Sequence, residues 1–86
     1  MTKTELKANW EKVLDIMKTR VDSLAVDTFF KPLTPVKTSE KEQKIYFSAP
    51  KESNYAFYQN MVNNHMTNLS DCIFQVFGKS YTPEVT

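Results

Sequence analysis

The chain has 86 residues, 41% of them hydrophobic and 13% aromatic, which is enough for one small domain over residues 1–86 and too little for two. Eleven Lys and Arg residues against ten Asp and Glu residues leave a formal net charge of +1, which excludes the basic composition of strong nonspecific nucleic-acid binders. A single cysteine excludes an internal disulfide, and no Cys/His cluster has zinc-ligand spacing, so we expect no metal and no other cofactor.

The first predicted element is an amphipathic helix. Its apolar residues recur at steps of three and four and fall on one face: Leu6, Trp10, Val13, Leu14, Met17 and Val21. Thr2 and Glu5 match a capping box, so the helix is expected to start near Lys3. The same stretch mixes charged and apolar residues, unlike a signal peptide or a membrane span, which predicts a cytoplasmic protein without membrane contact.

A second, shorter helix is predicted to follow, capped by Asp22 and Ser23. Val26, Phe29, Phe30 and Leu33 lie on its apolar side. Pro32 disfavours helical geometry at the residue before it, so the helix is expected to end by Phe30. The two helices then form a helical hairpin on a common core.

The pattern changes to that of a β-hairpin between Leu33 and Pro50. An extended stretch begins at Pro35, residues 39–43 form a polar turn, and residues 44–49 are β-prone. Ile45 and Phe47 share one strand face, which we expect to be buried under the helices, and Tyr46 lies on the other.

The longest predicted helix runs from Tyr55 to Gly78. Its stripe has steps of three and four: Tyr55, Tyr58, Val62, His65, Leu69, Cys72 and Val76. Gly78 stands where a left-handed residue would end the helix. Residues 79–86 are expected to form either an edge strand through Tyr81 and Val85 or the frayed start of a linker, because Pro83 cannot donate to a sheet.

The order of these elements coincides with local sequences that resemble a known family. The matching segments are Trp10 with Val13 and Leu14, the run Phe29-Phe30-Lys31-Pro32-Leu33, the run Ile45-Tyr46-Phe47-Ser48-Ala49-Pro50, and residues 69–78 ending in Gly78. Together they resemble domain I, the N-terminal domain of the bacterial chromosomal replication initiator DnaA. The segments are individually unspecific, and it is their order across nearly the whole chain that carries the resemblance.

The resemblance implies an α+β fold of K-homology-like topology, α-α-β-β-α-β, with three helices on a sheet of two or three strands. It also implies a non-enzymatic protein-interaction domain that forms weak homodimers and docks the replicative helicase or regulators of initiation. The one glycine agrees with this, because it excludes both a phosphate-binding loop and the GxxG loop of RNA-binding K-homology domains.

Two positions depart from the family pattern at the surface that contacts the helicase. Many members carry an acidic residue early in the second helix and an aromatic residue shortly after the Ala-Pro pair, whereas this chain has Ala25 and Ser53 there. The stretch that follows Pro50 is longer than in the family, so Tyr55 or Phe57 can supply the aromatic side chain. The resemblance thus assigns the contact surface to Ala25, Ser53, Tyr55 and Phe57.

Trp10 and Phe57 each allow two interpretations. Trp10 lies near the centre of its apolar stripe, which favours the core, whereas the resemblance places a tryptophan at this position in the self-association surface. Phe57 falls off the stripe of the third helix, so it either projects toward a partner or packs at the helix start against Phe47 or the strand edge.

No arrangement in the sequence favours an enzyme or a small-molecule substrate. His65 and Cys72 lie on one predicted helix face, but two turns separate them by about 10 Å, too far for direct proton transfer. We interpret both as packing residues, with Cys72 as a small buried hydrophobe and His65 at the rim with its polar edge in water.

Two alternatives to the docking domain of an initiator stay open. One is a weak single-stranded nucleic-acid binder that contacts the strand through Lys44, Lys51 and Tyr58, with Tyr46, Tyr55 and Phe57 as further stacking surfaces. The other is a stand-alone regulator that mimics the initiator domain and blocks its assembly.

Overall fold

Residues 2–51 and 54–86 are described by a computed structural model, in which this part of the chain forms a small α+β domain with four helices and a three-stranded mixed sheet. The elements in chain order are α1 (Lys3–Arg20), α2 (Ser23–Ala25), β1 (Thr34–Ser39), β2 (Lys44–Ser48), α3 (Tyr55–Asn64), α4 (Met66–Phe77) and β3 (Thr82–Val85). A π-helical turn, Val26–Phe30, continues α2. Within the described residues no helix is both long and apolar enough to cross a bilayer.

The first helix is confirmed, with its start at Lys3. The Thr2 hydroxyl accepts a hydrogen bond from the Glu5 backbone N–H at 3.1 Å and so satisfies one of the donors that every helix start leaves unpaired. Five residues of the predicted stripe are buried, and the sixth, Val21, is half-buried at the end of the helix. The Arg20 guanidinium pairs with the Asp71 carboxylate, which ties the end of α1 to α4 and raises the pKa of Arg20.

The second helix ends at Phe30, as predicted, but its last turn is wider than an α-helical turn. The Asp22 carboxylate caps the start by accepting from the Leu24 N–H at 3.1 Å. At the other end the Lys31 N–H donates to the Val26 carbonyl, five residues back, at 3.0 Å. Phe30 is fully buried, while its neighbour Phe29 is only half-buried, so the two consecutive rings have different roles.

The predicted β-hairpin is confirmed, and β2 is the central strand of the sheet. β1 pairs with β2 antiparallel, with an irregularity between Pro35 and Lys37, and β3 pairs with β2 in parallel. Ile45 and Phe47 are fully buried under the helices. Tyr46 lies on the opposite face, where the Lys37 ammonium stands 5.2 Å from the centre of its ring.

Residues 82–85 form an edge strand, the first of the two alternatives for the tail. The Thr82 and Thr86 N–H groups donate to the Gln43 and Phe47 carbonyls, so alternate N–H groups along this segment point toward β2. The positions between them have no N–H toward β2, since Pro83 lacks one and the Val85 N–H donates to the Gln59 side-chain oxygen at 2.7 Å, while the side chains of both residues are buried.

The prediction of three helices with one long helix from Tyr55 to Gly78 is wrong, because the helix breaks at His65. The backbone of His65 (φ −116°, ψ 20°) leaves the helical range, and its N–H is shared between the Met61 and Val62 carbonyls. Its ring Nδ1 donates to the Met61 carbonyl at 3.0 Å, and the ring packs edge-on against Phe30. The break lets α3 lie against β3 while α4 lies against α1.

The predicted end of the last helix is confirmed at Gly78. Its backbone is left-handed (φ 74°), and its N–H donates to the Phe74 carbonyl at 2.8 Å. Within α4, Cys72 is fully buried, as expected of a small hydrophobe, and this burial raises the pKa of its thiol.

Candidate functional site

Three aromatic rings meet where the π-helical turn lies beside the start of α3. The ring centroid of Phe57 is 5.8 Å from that of Phe29 and 5.3 Å from that of Tyr58, and the second pair is edge-to-face. Phe57 is nevertheless 46% exposed. We call Phe29, Phe57 and Tyr58 the aromatic patch.

Local sequence positions Phe57 at the first turn of α3. The Asn54 side chain accepts from the Ala56 N–H at 2.9 Å and starts the helix there, so Phe57 is only its third residue. At this place the Phe57 ring reaches Phe29 on the neighbouring turn. The sequence offered Phe47 as one neighbour of Phe57, but the ring that packs on Phe47 is that of Trp10.

Two other residues of the predicted contact surface lie close to this patch along the chain. Tyr55 opens α3 and is 59% exposed, and the half-buried Ala25 ends α2 directly before the turn that carries Phe29. Ser53 lies outside the described residues. The two segments to which the resemblance assigns contacts, the second helix and the entry to the third, therefore meet at the Phe29–Phe57 contact.

Trp10 lies in the core, the first of its two alternatives, and is not available at the surface of the single chain. It is 3% exposed, and its ring centroid is 4.4 Å from that of Phe47. Its indole N–H has no acceptor among the described residues. Leaving a buried donor unpaired costs about 1–3 kcal/mol, which the packing of this large ring must offset.

Two of the three candidate nucleic-acid contacts have partners within the chain. The Lys44 ammonium pairs with the Glu84 carboxylate at 3.1 Å, and the Tyr58 ring packs on Phe57. Lys51 is exposed and follows β2, whose two ends, Lys44 and Ser48, are about 13 Å apart at about 3.3 Å per residue. A nucleic acid would have to compete with the partners of Lys44 and Tyr58.

Tyr46 also has partners within the chain. Its hydroxyl donates to the Glu42 carboxylate, which with some burial raises the pKa of Tyr46 to about 12. Because the Lys37 ammonium lies over its ring, a base that stacked there would have to displace this contact.

The titratable side chains His65 and Cys72, and the possibility of a metal site, are the last candidates to consider. Among residues 2–51 and 54–86, no group of three or more His, Cys, Asp and Glu residues could hold a metal ion. His65 lies at the helix break, where its ring is bonded to a backbone carbonyl, and Cys72 lies fully buried within α4.

Comparison with known proteins identifies no relative: no family model matches the chain, and neither a curated protein nor a solved structure matches it. The geometry of the site therefore carries the functional interpretation.

Phe29 is the member of the aromatic patch whose position the sequence pattern misses. Its spacing with Val26 and Phe30 assigned it to the apolar side of the second helix, whereas the π-helical turn leaves it half-buried beside Phe57. The doublet Phe29-Phe30 is no signal of this, because consecutive apolar residues are both buried elsewhere in the helices, at Val13-Leu14 and at Cys72-Ile73.

Proposed function

We propose that the chain is a non-enzymatic docking domain of the DnaA domain I type, with a K-homology-like arrangement, that acts in the cytoplasm. Its aromatic patch is the docking surface, and its partner is the replicative helicase or a regulator of initiation. The observation that carries the proposal is Phe57, which is held by two ring contacts and yet is 46% exposed.

A ring in this position suits the recognition of another protein. Aromatic side chains bury a large area on binding, and they dominate the few residues that carry most of the binding free energy. Phe29 and Tyr58 restrict the motion of Phe57 before binding, so less side-chain entropy is lost in the complex. Tyr55, at 59% exposure, adds an amphipathic side chain on the same turn of α3.

The small size of the patch is consistent with weak, multivalent binding. One exposed ring and its neighbours bury far less than the roughly 1,200–2,000 Å² of a standard stable interface. Affinity then comes from several copies acting together on an assembled partner. Because Trp10 is buried, we assign weak self-association to the aromatic patch as well.

Matched alanine variants test this assignment. Phe57→Ala removes the exposed ring of the patch, and Phe74→Ala removes a ring of similar exposure, 50%, on α4. We expect Phe57→Ala to weaken binding to the helicase or initiator encoded in the same genome by about tenfold or more, and Phe74→Ala to leave it unchanged. Biolayer interferometry measures the partners, and sedimentation velocity measures self-association.

The outcomes separate the candidate functions. Equal losses in both variants, or none in either, would remove the aromatic patch from the proposal. Binding to the initiator but not to the helicase would favour the stand-alone mimic. A salt-dependent anisotropy change with a labelled single-stranded oligonucleotide, unaccompanied by protein binding, would favour the nucleic-acid alternative.

A further inference from the structure

Residues 54–70 form the longest stretch of the sequence without Asp, Glu, Lys or Arg. At the 24% charged residues of the whole chain, these 17 residues would carry about four, and the next longest uncharged run, residues 72–78, has only seven residues. The stretch contains all of α3 and the start of α4. Burial would explain the absence of charge in a core segment, so the exposure of α3 decides what the absence means.

The helices α1 and α3 differ in charge, although both have an exposed side. Eight of the eleven exposed residues of α1 are charged, whereas none of the six exposed residues within Tyr55–Asn64 is charged. Three of these six are Asn60, Asn63 and Asn64. Asn is a poorer helix former than Lys or Glu, so neither burial nor helix stability accounts for its use there. The residues on this side of α3 therefore need a different explanation.

The exposed residues of α3 continue the aromatic patch along the helix. At about 100° per residue, Phe57, Asn60 and Asn64 lie within about 60° of each other, and Ala56 and Asn63 extend this side to about 120°. At about 1.5 Å per residue, it runs about 10 Å along the helix from Phe57 to Asn64. We call Ala56, Phe57, Asn60, Asn63 and Asn64 the α3 face.

Contacts within the chain fix the direction in which the α3 face points. The Gln59 amide donates to the Asn63 side-chain oxygen at 2.9 Å, while the Gln59 oxygen accepts from the Val85 N–H of β3 at 2.7 Å. Val62, on the opposite side of α3, is buried in the core. Because these contacts hold the rotation of the helix, the α3 face is a fixed part of the surface of the single chain.

The chemistry of the α3 face selects an uncharged binding partner. The face has no cation to neutralise a phosphate, so neither a nucleic acid nor an anionic membrane gains a charge pair there. A charged side chain of a protein would lose water against the face without gaining a counter-charge. Asparagine amides donate and accept hydrogen bonds, and Phe57 offers apolar area, so the face matches the charge-depleted centre of a protein interface.

We propose that the α3 face binds an uncharged surface of the protein partner. Apolar side chains of that surface cover Ala56 and Phe57, and its amide or backbone groups form hydrogen bonds with the asparagines. The inference rests on the proposed function, because it extends the docking surface from the aromatic patch to Asn64. Binding is then insensitive to ionic strength, since screening by salt weakens only the contacts between charges.

A charge of either sign on the α3 face tests the proposal. Asn60→Lys and Asn60→Glu place opposite charges at the middle of the face, and the probes are the replicative helicase and the initiator encoded in the same genome. We expect both variants to weaken binding by about tenfold or more, because either charge loses water without gaining a partner. Lys and Glu are better helix formers than Asn, so unfolding would not explain the loss, and thermal melting checks this.

Matched variants and a salt titration complete the experiment. Ala8→Lys and Ala8→Glu place the same charges at an exposed position of α1 and should leave binding unchanged. Asn60→Gln keeps the amide group and should retain most of the affinity. Raising the NaCl concentration from about 50 to about 500 mM should change the dissociation constant of the unmodified domain by less than about twofold.

Opposite effects of Asn60→Lys and Asn60→Glu would overturn the proposal, because they would reveal a charged partner surface. A loss of affinity of about tenfold or more at high salt would do the same. If Phe57→Ala weakens binding and the two charged Asn60 variants do not, the α3 face lies outside the interface and the aromatic patch keeps its function. If neither probe binds the unmodified domain, the proposed function fails, and this inference fails with it.

Discussion

Trp10 and Phe57 lie in two regions that use a large aromatic side chain in opposite ways. Trp10, in the middle of α1, is 3% exposed and packs on Phe47, so its apolar area lowers the free energy of the folded domain. Phe57, at the start of α3, is 46% exposed, so nearly half of its area stays in contact with water in the single chain. The difference teaches that residue type alone does not identify an interaction residue in a small domain, because the packing decides whether a ring serves folding or binding.

The largest expected effect is that of Trp10→Ala, which tests the buried side of this comparison. Removing a fully packed ring leaves a cavity, so we expect the free energy of unfolding to fall by about 3–5 kcal/mol, measured by urea denaturation. Loss of self-association in this variant would then follow from unfolding. A folded Trp10→Ala with nearly unchanged stability would show that the ring does not serve the core.

Gly78→Ala is expected to have an intermediate effect on the free energy of unfolding. It restricts the backbone at the end of α4 and leaves the packing around Trp10 and Phe57 unchanged. A Cβ at this position meets nothing within 4 Å, so only the left-handed conformation opposes it. We expect a loss of about 1 kcal/mol in urea denaturation. Gly78→Asn is the control and should lose less, since Asn tolerates this conformation better; an equal loss would point to a cause other than φ.

Phe57→Ala tests the exposed side of the comparison. The half of the ring that is buried against Phe29 and Tyr58 predicts a stability loss of about 1 kcal/mol or less, well below that of Trp10→Ala. Urea denaturation of both variants under the same conditions compares them. Losses of equal size would place Phe57 in the core and remove it as a docking residue.

The smallest expected effect belongs to Glu40 and depends on pH. Its hydrogen bonds from Lys79 and Tyr81 lower the pKa of the Glu40 carboxyl from 4.5, so its contribution to stability is present above that value and is lost as the pH falls through the lower folded pKa. We expect Glu40→Gln to melt slightly below the unmodified chain at about pH 7, and the difference in melting temperature to shrink as the pH is lowered below 4.5 and through the folded pKa.

Lys79→Gln provides the partner control for this experiment. Of the two hydrogen bonds to the Glu40 carboxylate, the one from the Lys79 ammonium lowers its pKa more. In the Lys79→Gln background, Glu40→Gln should therefore lower the melting temperature at neutral pH much less. An effect of Glu40→Gln that persisted at low pH would contradict the linkage, because the protonated carboxyl and the amide that replaces it are then both neutral.

Local signals in the sequence predicted most element boundaries. Thr2 and Asp22 cap the helices that follow them, Gly78 ends the last helix, and the alternation of residues in β2 correctly predicted that Ile45 and Phe47 are buried. The helix caps, the glycine at the helix end and the alternation in β2 all depend on residues within a few positions of each other. They can therefore be predicted without knowing how distant parts of the chain pack.

The features that escaped prediction depend on contacts between distant residues. The apolar stripe of the sequence continues through His65, so the pattern looks like that of one continuous helix. The contacts that accompany the break are those of the His65 ring with Phe30 and of α3 with β3, and both join residues far apart in the chain. The aromatic patch likewise needs the π-helical turn at Phe29, whose periodicity is not visible in a stripe of three residues.

The outer edge of β3 limits how copies of the sheet can join. With Pro83 lacking an N–H and the Val85 N–H held by Gln59, that edge offers no donor to an incoming strand, whereas β1 remains unpaired on its outer side. Head-to-tail growth, in which β1 of one molecule joins β3 of the next, lacks the donors that it needs. Strand pairing between copies is thereby confined to β1 against β1, a symmetric union that closes after two molecules and cannot propagate into a filament.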